Sequence, residues 1–213
     1  MRIGVVSDTH DRSEAVADAV RLLAGHGAEL LLHCGDIESP DTVELFKPIP
    51  THFVFGNWDK DKARLTAAIK AIKGTAHDGF GALDLAGKRV AWVHSHERHQ
   101  LYQLEHCDYF DYVFYGHTHV REQHRTGRTL VANPGALFRA NPKTCIVLDL
   151  ATGEIKPIIV PVKPAGSSTP HAPTAALDDT TGSIVMPPGS LPIPNPGPLP
   201  DASASPAPPT PPG

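Results

Sequence analysis

Arg2-Ile3-Gly4-Val5-Val6-Ser7-Asp8-Thr9-His10 is a short apolar run that ends on a carboxylate and an imidazole. Residues 3–6 have the length and composition of a buried strand. The same phrase then recurs. Residues 11–27 read as a helix, with Val16, Ala19, Val20 and Leu23 at helical spacing and Gly25 and Gly27 at its end. A second apolar strand over 29–34 runs into Gly35-Asp36, and a short helix is expected over 41–46, after Pro40. A third strand over 51–55 runs into Gly56-Asn57. Residues 61–72 then place Leu65, Ala68, Ile69 and Ile72 on one helical face.

The second half changes rhythm. Residues 82–85 and 89–93 pair as a hairpin turning at Gly87-Lys88, and 97–106 read as a helix. A strand over 112–115 follows. Residues 121–132 read as two polar strands around Thr126-Gly127, and 144–150 with 155–160 as a last hairpin around Thr152-Gly153. The first half asks for a parallel sheet covered by helices, the second for an antiparallel sheet. Two sheets face to face with helices outside bury both. Residues 1–160 are expected to form this one domain. Residues 161–213 hold most of the 22 prolines, with Gly, Ser, Ala and Thr between them, and Ile184-Val185-Met186 as their one apolar patch. Little there repays chain entropy, so a disordered tail of polyproline II character is expected, either a solvated appendage or a docking segment for a protein partner.

Composition narrows the function. Nineteen Lys and Arg against 23 Asp and Glu give a net charge of -4, which argues against a general nucleic-acid or membrane-surface binder. Three cysteines (Cys34, Cys107 and Cys145) are widely spaced, with no CxxC pair, and fit a reducing compartment. No signal-peptide pattern stands at the N-terminus and no apolar run approaches the roughly 20 residues needed to span a bilayer, so a cytoplasmic location is expected. The 13 histidines are the excess.

Several of those histidines follow strands. Asp8 and His10, Asp36, Asn57, His94, and His117 and His119 all come directly after predicted strands, where open α/β sheets bind ligands. Two carboxylates, one amide and four imidazoles, without a thiolate, suit Mn, Fe, Zn, Co or Ni rather than calcium or a structural cysteine site. Seven ligands exceed one tetrahedral zinc and match two ions sharing a carboxylate. The glycines before Asp36, Asn57 and His117 give the backbone freedom to turn each side chain inward. Taken singly, each residue has a plainer role: Asp8 or Asp36 as a helix cap, Asn57 in a turn, His94 as a core histidine, His117 and His119 on opposite faces of an extended segment. The recurrence at five strand ends favours one convergent site.

The blocks SDTH (7–10), CGD (34–36), GNWD (56–59), VHSH (93–96) and GHTH (116–119), in this order, resemble the signature of calcineurin-like metallophosphoesterases. Asn133-Pro134-Gly135 resembles an element of that family's small bacterial and archaeal phosphodiesterase branch. The resemblance covers residues 1–160. It implies a four-layer α/β/β/α sandwich and two divalent cations, manganese first and Ni, Fe, Zn or Co as alternatives. It places Asp8, His10, Asp36 and His119 on one ion and Asn57, His94 and His117 on the other, with Asp36 bridging. It implies hydrolysis of small phosphate esters, diesters before monoesters, by in-line attack of a metal-bridging hydroxide, with Asp36, Asn57 and His94 at the reacting phosphate. Many members carry histidine after the asparagine; here Trp58 stands there, placed to stack on a flat group or simply to pack, and His96 or His99 is left as the candidate acid. The rival expectation is a scaffold of the same fold with the tail as its docking segment, since one eukaryotic retromer subunit resembles this fold without an intact metal site.

Overall fold

The structure, a computed structural model, describes residues 1–161; the expectations for the proline-rich tail fall, apart from Pro161, outside the described residues. The elements in chain order are β1 (Arg2–Val6), α1 (Ser13–Gly25), β2 (Leu30–His33), α2 (Pro40–Glu44), β3 (Thr51–Phe53), α3 (Lys62–Ala71), β4 (Thr75–Ala76), β5 (Phe80–Leu85), β6 (Lys88–Val93), α4 (Arg98–His106), β7 (Tyr112–Tyr115), β8 (Glu122–Thr126), β9 (Thr129–Asn133), β10 (Lys143–Asp149) and β11 (Glu154–Val160). They form a six-stranded sheet, β11-β10-β1-β2-β3-β4, and a five-stranded sheet, β5-β6-β7-β9-β8.

Strand alternation builds four layers. Ile3 and Val5 of β1, Leu30 and Leu32 of β2, Trp92 of β6, Phe114 of β7, Leu130 and Ala132 of β9 and Ile146 and Leu148 of β10 form the core between the sheets. The alternate residues, Val6, Leu31 and Val147, face α1, α2 and α3 through Val16, Ala19, Leu23, Val43, Leu65 and Ile69. On the far side Ala91, Val93, Val113, Tyr115 and Val131 pack with Leu104 of α4. The period of two is what splits each strand between a helical and an inter-sheet layer. The result is the α/β/β/α sandwich of two mixed sheets.

Three expectations for the second half are corrected. The second sheet is not antiparallel throughout, because β6, β7 and β9 are parallel and only the edge strands β5 and β8 run against them. The reason is α4, a helical crossover, which returns the chain to start β7 beside β6 in the same direction. The last hairpin leaves that sheet altogether: β10 pairs antiparallel with β1 in the first. Nor is β9 polar. All five of its residues are buried, with Leu130 and Ala132 on one face and Val131 on the other. The two-residue strand β4 was too short for any periodicity to announce it.

The arrangement points β1, β2 and β3 of one sheet, and β6, β7 and β9 of the other, toward the same end of the molecule. Every predicted ligand follows one of these strands. Phe114 is fully buried where the sheets meet. Phe114→Ala is expected to cost about 3–5 kcal/mol of unfolding free energy, read as a lower urea midpoint at unchanged slope. A loss below about 1 kcal/mol contradicts this assignment of the inter-sheet core.

Candidate metal centre

The loop after β1 carries Asp8 and His10, the loop after β2 carries Asp36, and the two lie under one another. Amides of Asp8, Thr9 and His10 donate to the carbonyls of Gly35 and Asp36. Asp8, His10, Asp36 and His94 are buried and form a floor. Asn57, His117 and His119 stand at its open rim. Ligand atoms of Asp8, His10 and His119 lie within 4.8 Å of one another, as do those of Asp8, Asp36 and His94.

The histidines are aimed by acceptors behind them. His94 Nδ1 donates to the Cys34 carbonyl at 2.8 Å. Its Nε2 therefore faces two oxygens, Asn57 Oδ1 at 3.0 Å and Asp36 Oδ2 at 3.2 Å. His10 Nδ1 is 2.6 Å from Glu38 Oε1, which leaves its Nε2 3.4 Å from the same Asp36 oxygen, buried and without a hydrogen-bond partner. His119 Nε2 is 3.2 Å from Asp8 Oδ1. His117 joins through its ring, centred 5.1 Å from that of His94, while its backbone N–H donates to Asp8. An imidazole pinned at Nδ1 and bare at Nε2 toward a carboxylate is the arrangement in which a cation replaces a proton. Divalent cations fit these residues: the donors are oxygens and imidazoles, and the orphaned His10 Nε2 gains the partner it lacks.

Electrostatics agree. Burial opposes charge on Asp36, but hydrogen bonding and charge from His94 outweigh it and hold the carboxyl below its ordinary value. Burial likewise opposes a charged His94, yet Asp36 and Asp8 raise it. His119 is raised by its bond to Asp8. His117 is lowered, by burial first and then by His94.

The backbone is strained at the ligands themselves. Asp8 (φ 53°), His10 (40°), Asp36 (59°), His117 (69°) and His119 (59°) are all left-handed, a conformation costly for residues with a Cβ. The expectation that the preceding glycines supply the turning freedom is thus revised for two of them. Gly56 and Gly116 are there for room: a Cβ on Gly56 would stand 2.1 Å from Asp36 Oδ1, and one on Gly116 1.9 Å from Ser7 Oγ.

The plainer roles of Asp8, Asp36 and Asn57 do not describe these residues. Helix α1 has no side-chain cap, α2 is capped by Ser39 and α3 by Asp61. Asn57 meets His94, and Cys34 packs in the inter-sheet core. His96 is exposed at the rim, its ring 5.6 Å from that of His94, whereas His99 is an exposed residue of α4.

Sequence reading missed the support. The Asp59 carboxylate accepts the N–H groups of Asp36, Ile37, Glu38 and Gly56 at 2.7–2.9 Å and so ties the second ligand loop to the third. His33 lies fully buried beneath. Its Nδ1 accepts from the Gly35 N–H, and its Nε2 faces Thr9 Oγ1, which donates to the Asp36 carbonyl. These partners fix a neutral imidazole, and burial pushes its pKa down to about 3. Asn133 holds the last loop through Gly116 O and Thr118 Oγ1. Asp59 inside the GNWD block, Thr9 inside SDTH and Asn133 in the Asn133-Pro134-Gly135 element carried a visible signal; His33 did not.

Residues 1–153 match the model of the calcineurin-like phosphoesterase superfamily domain. The chain belongs to that superfamily. This calcineurin-like phosphoesterase is 27% identical over 165 residues to a phosphodiesterase of Methanocaldococcus jannaschii, covering 75% of this chain and 99% of the relative. It is 31% identical over 144 residues to a probable metallophosphoesterase of Methanothermobacter thermautotrophicus, covering 64% and 77%. Among solved structures, an archaeal phosphodiesterase matches with a TM-score of 0.70 at 27% identity, over 75% of this chain and 99% of that one. Among the described residues no helix is long and apolar enough to cross a membrane.

Gly116→Ala is expected to lower the melting temperature and weaken metal binding, because the new Cβ enters the ligand floor. Gly25→Ala, with nothing within 4 Å, should be neutral or gain up to about 1 kcal/mol. Equal effects in thermal denaturation contradict the packing argument. His33 sets a pH dependence. Its folded pKa lies below the unfolded value of about 6.5, so the unfolded chain binds more protons between the two. Stability from this group is full above about pH 6.5 and falls as pH drops toward about 3. In metal-free protein, His33→Gln should flatten the stability profile between pH 6 and 4 by up to about 1.4 kcal/mol per pH unit; an unchanged slope contradicts it.

Proposed function

We propose that the protein is a dinuclear metal-dependent phosphodiesterase. Asp8, His10, Asp36 and His119 would hold one divalent cation, and Asn57, His94 and His117 the other, with Asp36 shared. The single observation that carries this is the Asp36 carboxylate, whose Oδ2 is faced by Nε2 of both His10 and His94. One carboxylate shared between two imidazoles supports a bridged pair. Manganese is the first expectation, with Ni, Fe, Zn or Co also suited to these donors.

When bound, such a pair supplies Lewis acidity and a hydroxide near neutral pH. The chain's own residues do the rest. Asp8 and Asp36 leave the centre net positive and attractive to a phosphate anion. His94 in the floor and Asn57 at its rim would face the reacting phosphate. The relative named a phosphodiesterase supports a diester substrate, and a cleft of about 470 Å³ beside Asn57 and His96 has room for one ester arm. Trp58 brings no proton donor to the leaving group, so His96 is the acid candidate, and esters with acidic leaving groups are favoured.

After chelation, re-addition of Mn²⁺ should restore hydrolysis of bis-p-nitrophenyl phosphate. Asp36→Asn and His94→Ala should lose at least about 100-fold in metal affinity or activity. Aryl diesters should outrun alkyl diesters by more than their intrinsic reactivity, since a general acid is worth about 10²–10⁴-fold. Metal-independent turnover, or full activity in either variant, would falsify the reading.

A further inference from the structure

Beyond the ligands, one side of the rim carries a group of side chains that the hydrolysis of a plain diester does not use. Phe138 lies against His10, ring centroids 4.6 Å apart, and 6.1 Å from His119. The guanidinium of Arg12 sits 4.6 Å and that of Arg139 4.9 Å from the Phe138 ring centroid. Both arginines are exposed, and neither side chain has a hydrogen-bond or ion-pair partner among the described residues. Both cations rest on the one ring that packs against His10, and so bring positive charge to the same side of the rim. Arg12 also precedes α1, whose N-terminus no side chain caps, and that adds positive potential. On another side of His10 stands Trp58, 58% exposed, its ring edge-on at 5.9 Å.

The geometry points to a nucleoside pyrophosphate ester as the substrate class. The reacting phosphate lies over Asp8 and Asp36, the second phosphate binds Arg12 and Arg139, and the base stacks on Trp58. Guanidinium groups suit phosphate oxygens through paired N–H donors, and an exposed indole suits a flat base. This reading also accounts for the missing acid at position 58. Water oxygen bonds to the reacting phosphorus while the P–O anhydride bond breaks. The electron pair stays on the bridging oxygen, which departs with the second phosphate as a phosphate monoester anion that needs no proton near neutral pH. The protons of water go to solvent, and two nucleotide monophosphate-type products result. Arg12 and Arg139 neutralise the charge that collects on the departing phosphate.

The inference rests on the phosphoesterase reading of the same centre, and the test separates the two. Full-length protein loaded with Mn²⁺ is given diadenosine 5′,5′-diphosphate, with AMP release followed by chromatography, and bis-p-nitrophenyl phosphate in parallel. Wild type should cleave both. Arg12→Gln and Arg139→Gln should each lower the ratio of kcat/KM for the pyrophosphate over the aryl diester by about tenfold, the scale of one charge-assisted hydrogen bond. A second readout needs no turnover. In metal-free protein, quenching of Trp58 fluorescence should occur at lower concentrations of ADP than of AMP, over a constant background from Trp92, which is buried away from the ligand, and either arginine variant should erase the difference. Cleavage of the aryl diester without the pyrophosphate, or an unchanged ratio in both variants, overturns the inference and leaves the phosphodiesterase standing. If wild type cleaves neither, the phosphoesterase reading fails, and equal quenching by ADP and AMP overturns the arginine site as well.

Discussion

Two carboxylates, Asp8 and Asp36, are buried together at the ends of neighbouring strands. Burying one charge is costly, and burying two of the same sign is worse. The protein answers with imidazoles at hydrogen-bonding distance: His10 and His94 on Asp36, His119 on Asp8. Protons can balance part of this arrangement, but they leave His10 Nε2 without a partner and set His94 Nε2 against two oxygens at once. Divalent cations would balance all of it.

Much of the surrounding structure serves to hold those side chains in place. Five of the proposed ligands adopt left-handed backbone conformations that neither strand nor helix would supply. The loops that carry them are tied from outside the ligand set: Asp59 gathers four amides, neutral His33 and Thr9 fix the carbonyl of Asp36, and Asn133 with Ser95 holds the carbonyl of Gly116. The two sheets make this possible, because each contributes three parallel strands that end on the same side. Strain is concentrated where chemistry needs it, on a scaffold stiff enough to bear it.

Much of this was legible in the residues. The apolar runs that stop on Asp8, Asp36, Asn57, His94 and His117 announced the strands, and the structure brings these candidate residues to one end of the molecule. The helix over 11–27 was visible in Val16, Ala19, Val20 and Leu23, all of them buried in the structure. What escaped depends on pairing between distant segments. The parallel alignment of β9 with β7, and the departure of β10 to the other sheet, are set by which layers need covering, and local periodicity does not encode that. Glu38 and His33 act through hydrogen bonds to residues far along the chain or to backbone amides, so their types alone gave little sign. The left-handed conformations of the ligands themselves were likewise invisible beside the more obvious glycines.

The central claim is that Asp36 joins two cations into one centre. Anomalous diffraction at the manganese edge, from crystals equilibrated with Mn²⁺, tests it most directly. The account predicts two peaks about 3.5–4 Å apart, with the Asp36 carboxylate between them, one beside His10 and His119 and the other beside His94 and His117. A single peak, or two peaks that Asp36 does not bridge, would contradict it.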